Sequence, residues 1–197
     1  MEPSPSRKQA THDRILDTAA SALRSDGFGG VGVADIMRRS GLTHGGFYAH
    51  FPSRNALLAQ ALERAGEDSH ARLQRAIAAG VARGLTPFHA LVDSYLSDRH
   101  LQSPENGCPV AALACEMPRQ PDDVQPAAVA RVSALLSTVQ QVLPPGCPEG
   151  TAAVVTGQLV GALQLARALG DNRQGRRHLA TARRFLLEHF EARPPAA

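Results

Sequence analysis

Apolar residues along this chain recur at intervals of three and four, and no segment alternates with the two-residue period of a strand. Ile15, Ala19, Ala22 and Leu23 share one helical face, as do Leu16, Ala20 and Leu23. Thr11 suits the N-cap of this first helix, Asp13 suits its first turn, and Gly27 ends it. Two short helices are predicted next, over 33–40, stopped by Gly41, and over 43–49, ended by Pro52. Ser53 caps a further helix starting near Arg54. Longer helices are predicted over 54–80, 87–102, 108–118, 124–143, 151–169 and 173–191, each separated by a break containing Gly, Pro, Asn or Asp. The pattern is that of an all-α chain: short helices first, long helices after. Residues 1–10 read as a flexible arm and 193–197 as a frayed tail.

Composition narrows the class. A chain of 197 residues, 43% hydrophobic and 20% charged, can bury a core without disulfides or metals. Three cysteines argue against a secreted disulfide framework. The first ten residues lack the apolar run of a signal peptide. The longest uncharged apolar stretch, 150–166, contains three Gly, two Gln and two Thr, and reads as a buried helix rather than a membrane span. A cytoplasmic location with no membrane partner is therefore expected. A net charge of +3 is too small to name a partner, and an aromatic content of 4% argues against a base-stacking platform. The sequence has no HExxH, CxxC, P-loop or nucleophile elbow, and its eight His are scattered. No catalytic residue, metal or cofactor is expected, and the chain does not read as an enzyme.

The informative stretch is 33–54, VADIMRRSGLTHGGFYAHFPSR. Ile36 and Met37 face inward on the first short helix, Leu42 packs the turn, and Phe47 and Phe51 hold the second helix on the core. Gly41 permits the positive φ of a tight turn. This is helix-turn-helix spacing, with a support helix followed by a short helix available to a major groove. Its outward residues are Thr43, His44, Gly45, Gly46, Tyr48 and His50. Two glycines cost such a helix about 1 kcal/mol each relative to Ala, and they also let backbone approach DNA closely. His44 is the best candidate for a base contact, with Thr43 and Gly45 beside it at the helix start. Gly46, Tyr48, His50 and Arg54 are the phosphate candidates. For His50, a ring packed on the core is an equal alternative.

These residues carry a resemblance. Gly27-Phe28, V-x-x-I at 33–36, SGLT at 40–43, FYAHFPSR at 47–54, and then Leu57 and Leu58 resemble the N-terminal domain of the TetR family of bacterial transcriptional repressors. The resemblance spans about a quarter of the chain. It implies a DNA-binding domain over 1–56 and a ligand-binding and dimerisation domain over 57–197. It further implies a homodimer on pseudo-palindromic double-stranded operator DNA, released by a small hydrophobic or electrophilic ligand. Val31 and Gly32 depart from the Thr or Ser usual before the second helix, and Arg54 replaces the usual Lys.

In the second half, the resemblance implies dimer packing by the last two long helices; the alternative is that both simply complete the core of the monomer. Ala153, Gly157 and Gly161 repeat every four residues and suit close helix approach, and Leu179, Ala182, Leu186 and Phe190 form a stripe on the final helix. The expected interface residues are Gly157, Gly161, Leu179, Ala182, Leu186 and Phe190. The expected pocket is lined by apolar Phe88, Leu91, Val92, Tyr95, Leu113, Met117, Leu136, Val139 and Leu163, with His89, Asp93, Arg99, Glu116 and Gln164 as polar groups that could orient a ligand. Cys108 sits where a helix starts, followed by Pro109, and is a candidate sensor thiol or a small apolar core residue. Cys115 should lie on the same face two turns later. The switch is thus either a bound ligand or a covalent event at Cys108, and a helical enzyme or ligand carrier with a vestigial DNA-binding domain is the least favoured reading.

Overall fold

The structure is a computed structural model that describes residues 6–191. Among these residues the chain forms nine α-helices and no strand. They are α1 (Arg7–Gly30), α2 (Val33–Arg39), α3 (Arg54–Val81), α4 (Pro87–Tyr95), α5 (Asp98–Gln102), α6 (Pro109–Leu113), α7 (Gln125–Val142), α8 (Thr151–Leu169) and α9 (Arg173–Phe190). A 3-10 helix, His44–Ala49, lies between α2 and α3.

The first helix starts earlier than Thr11. Ser6 is the cap, its Oγ accepting from the Gln9 N–H at 3.2 Å, while the Thr11 hydroxyl donates back to the Arg7 carbonyl within the helix. The expected arm over 1–10 is therefore helical from Arg7, and its first five residues lie outside the described residues, as does the expected 193–197 tail. Gly27 breaks the regular helix as expected, with φ +72, before a last turn that runs to Gly30.

Two predicted helices are divided. The 87–102 helix leaves α geometry at Leu96, and Ser97 opens α5 by accepting from the His100 N–H. The bend turns His100 back under α4, where its Nδ1 donates to the Tyr95 carbonyl at 2.8 Å. The 108–118 helix is only the five-residue α6, followed by a tight turn in which the Glu116 N–H donates to the Leu113 carbonyl. Cys108 and Cys115 consequently do not share a face: Cys108 is buried and Cys115 exposed.

Two apolar cores result. The first gathers Ile15, Leu23, Phe28, Ile36, Met37, Phe47, Phe51, Leu57 and Leu62. It is completed by Leu113, Met117, Val124, Ala127 and Ala128 from far along the chain. The second joins α4, α7, α8 and α9 through residues such as Phe88, Leu91, Val139, Val155, Leu159, Leu163, Leu179 and Leu186. Helix α3 runs through both. Helix α8 is long and apolar enough to cross a membrane, yet Val155, Leu159, Ala162 and Ala166 pack in the second core.

Candidate nucleic-acid interface and interior cavity

Helix α2 ends at Ser40, and Gly41 takes φ +70, a backbone that a side chain disfavours. The Leu42 N–H then donates to the Met37 carbonyl at 2.8 Å, closing the turn. The chain enters the 3-10 helix with Thr43, His44 and Gly45 all exposed, and no protein atom lies within 4 Å of a Cβ built on Gly45. Phe47 and Phe51 stack at 5.7 Å in the core and anchor this short helix from below. Tyr48 points the other way and is 71% exposed. Gly46 is half-buried beside Met37 and offers only backbone. The tight 3-10 winding, in place of an α-helix, follows from two consecutive glycines in six residues.

His50 is half-buried, with its ring 6.3 Å from that of His12, and its Nδ1 is buried without a partner. Burial, then His12 and Lys8, hold its pKa below the ordinary imidazole value. Arg54 opens α3, and its Nε and Nη2 donate to the Val31 and Phe28 carbonyls at 3.0 and 2.6 Å. It thereby satisfies carbonyls at the end of α1 while its residue surface stays exposed. Thr43, His44, Gly45, Tyr48 and Arg54 are thus all exposed. Periodicity gave no hint of the carbonyl bonds that hold Arg54 there.

These features, namely a support helix, a glycine turn and a short exposed helix clamped by two phenylalanines, coincide with what comparison finds. Residues 15–61 match the family described as bacterial regulatory proteins, tetR family. An uncharacterized HTH-type transcriptional regulator of Mycobacterium tuberculosis is 30% identical over 174 residues, covering 83% of this chain and 87% of that protein. The chain belongs to the TetR family. It is a DNA-binding transcriptional regulator. The TetR fold is repeated in solved structures: reduced NemR of E. coli superposes with a TM-score of 0.77 at 20% identity, covering 95% of this chain and all of that one. A TetR-family regulator of Agrobacterium tumefaciens gives 0.75 at 21% identity, covering 94% and 100%.

Within this TetR-family chain, a cavity of about 800 Å³ opens between α3, the end of α4, α5, the 103–110 segment and α7. Of the expected apolar residues only Tyr95 lines it, and of the expected polar groups only Arg99. Phe88, Leu91, Val92, Leu113, Met117, Val139 and Leu163 are buried in the two cores, and Leu136 and Gln164 are half-buried away from the cavity. An apolar helix face looks the same in sequence whether it meets a neighbour or a void. The residues missed are polar: Arg72, Arg75, Arg131 and His100. The His100 Nε2 accepts from the Cys108 N–H at 3.0 Å, and burial lowers its pKa to about 4, so it is neutral.

Cys108 lines the cavity but is 5% exposed, at the start of a helix too short for a strong dipole. Cys115 is exposed and Cys147 half-buried. An aromatic disulfide reagent is expected to label two thiols quickly and Cys108 far more slowly, because thiolate chemistry needs access. Three equally fast thiols, read by absorbance, would contradict this placement.

The last two helices also differ from expectation. Leu179 and Leu186 are fully buried within the protomer, so neither presents a free interface surface, while Ala182 and Phe190 are half-buried against the second core. Gly157 and Gly161 do lie on an open face of α8, with no protein atom within 4 Å of a Cβ built on either. Val154 (58% exposed) and Leu165 (56%) flank them.

Proposed function

We propose that this regulator is a cytoplasmic homodimeric repressor whose DNA-binding unit, residues 1–56, is released from operator DNA when a small molecule occupies the cavity of residues 57–197. In this reading Thr43, His44 and Gly45 reach base edges, while Gly46, Tyr48, His50 and Arg54 engage phosphates. The observation that carries the switch is a link from α1 to the backbone beside the cavity wall, joined by a second link from α1 to the turn after α6. Arg24 donates from Nε to the Glu105 carbonyl at 2.5 Å and from Nη1 to the Ala65 carbonyl at 3.1 Å. Glu116 accepts from the Phe28 N–H at 3.0 Å, and a Cβ on Gly27 would come within 2.6 Å of the same carboxylate. A ligand that displaces the 103–110 segment or α3 therefore moves α1, and with it the spacing of two reading helices in a dimer. Its leverage is its differential affinity for the two arrangements.

Support for dimerisation lies in the open face of α8, where Val154, Gly157, Gly161 and Leu165 run along one side and Phe185 of α9 is 44% exposed. Exposed apolar groups in a row mark an interface. Replacing Val154 and Leu165 together with aspartate should convert the protein from dimer to folded monomer in sedimentation equilibrium, with loss of operator binding. A double variant that stays dimeric would remove α8 from the interface.

A further inference from the structure

The cavity wall is chemically one-sided. Arg72, Arg75, Arg99 and Arg131 face it, against a single lining carboxylate, Glu67. The neighbouring Asp68 lies 3.9 Å from the Arg24 guanidinium. Three polar atoms of lining residues are buried without a partner: Arg72 Nη2, Arg131 Nε and Tyr95 Oη. The two guanidinium atoms can only donate, and the phenol O–H donates as well. Arg131 reaches this position because residue 66 is glycine: a Cβ there would overlap the Arg131 Cδ and Nη1. Arg72 is disfavoured as a cation by burial and by Arg75 and Arg99, with Asp68 offsetting part of this. Neutral His100 adds no charge. The rest of the wall mixes Leu73, Ala76, Val110 and Leu135 with polar side chains, among them Ser69, His70, Ser103, Asn106 and Thr138.

The geometry points to an organic anion as the ligand of this cavity, its carboxylate or phosphate monoester head on Arg72, Arg131 and Tyr95 and its apolar body against Leu73, Val110 and Leu135. Donors buried without a partner are satisfied by the acceptor-only oxygens of such a head, and the guanidinium fork matches their geometry. A cationic ligand leaves those donors unmatched and adds repulsion from the arginines, and a neutral one offers only weaker, uncharged acceptors. The assignment names the ligand class of the cavity read above as the regulatory site, and so rests on that reading for its biological role.

The test is calorimetric titration of the full-length protein, in a zwitterionic buffer, with decanoate, decyl phosphate, decan-1-ol and decylamine below their micellar concentrations. All four carry the same chain. At least one anion is expected to bind about tenfold or more tightly than the alcohol and the amine. The better anion identifies the head group. Arg131→Gln and Arg72→Gln should abolish that preference and leave decan-1-ol binding unchanged. Equal or tighter binding of the alcohol or amine, no binding of either anion, or an anion preference that survives both substitutions would overturn the assignment. If a variant does not fold, the wild-type comparison decides alone. Operator release is scored in the same series: an anion that binds without releasing DNA leaves the ligand class standing and removes the regulatory reading.

Discussion

Operator affinity should fall about a hundredfold when His44→Ala and Tyr48→Phe are combined, as read by fluorescence anisotropy at one fixed salt concentration. Each side chain is exposed at the edge of a short helix whose other face is clamped by Phe47 and Phe51. A good base contact is worth about 1–3 kcal/mol of discrimination, so His44→Ala alone should cost about tenfold and relax preference at one position of each half-site. Removing the Tyr48 hydroxyl deletes a phosphate bond and should weaken all sequences alike. Neither change touches the core, so thermal stability should stay within about 0.5 kcal/mol of wild type. Affinity that is unchanged in both single variants would remove this edge from the DNA interface.

The second large effect belongs to Arg24. This residue is 5% exposed, yet it carries a guanidinium into the junction between the DNA-reading unit and the cavity. Burial, with Arg72 nearby, disfavours its charge, and the Ala65 and Glu105 carbonyls together with Asp68 hold it in place. Arg24→Met keeps the apolar stem and removes every one of those bonds. It should destabilise the fold by about 2 kcal/mol, a drop of roughly 5 °C in Tm. Operator binding without ligand should persist, while ligand-driven release weakens, because the wall of the cavity no longer pulls on α1. A variant with wild-type release and wild-type Tm would show that the link carries neither stability nor coupling.

The DNA-reading third was legible in the sequence because its information is local. Gly41, Leu42, Phe47, Phe51 and Ser53 specify a turn, two anchors and a cap within thirteen residues. The cavity was not legible, because it is made by residues far apart: Gly66 on α3 leaves room for Arg131 on α7, and no periodicity records that pairing. The apolar residues expected around a ligand instead fill the cores. Tertiary contacts also override helical pattern over 108–118. There the chain turns after Leu113, so that Glu116 can meet the Phe28 N–H, an interaction 88 residues apart. On α9 the stripe of Leu179 and Leu186 identified a buried face but could not choose between its two readings, a second protomer or the same one, and both residues pack within the same protomer.

Footprinting of the wild-type protein on the DNA upstream of its own gene should reveal two protected half-sites related by a pseudo-dyad, their centres about one helical turn apart or a multiple of it. Protection should weaken steeply as salt rises, because phosphate contacts release counterions. A folded protein that protects no site there, or a single site without internal symmetry, would contradict a dimeric repressor reading its operator through His44 and Tyr48.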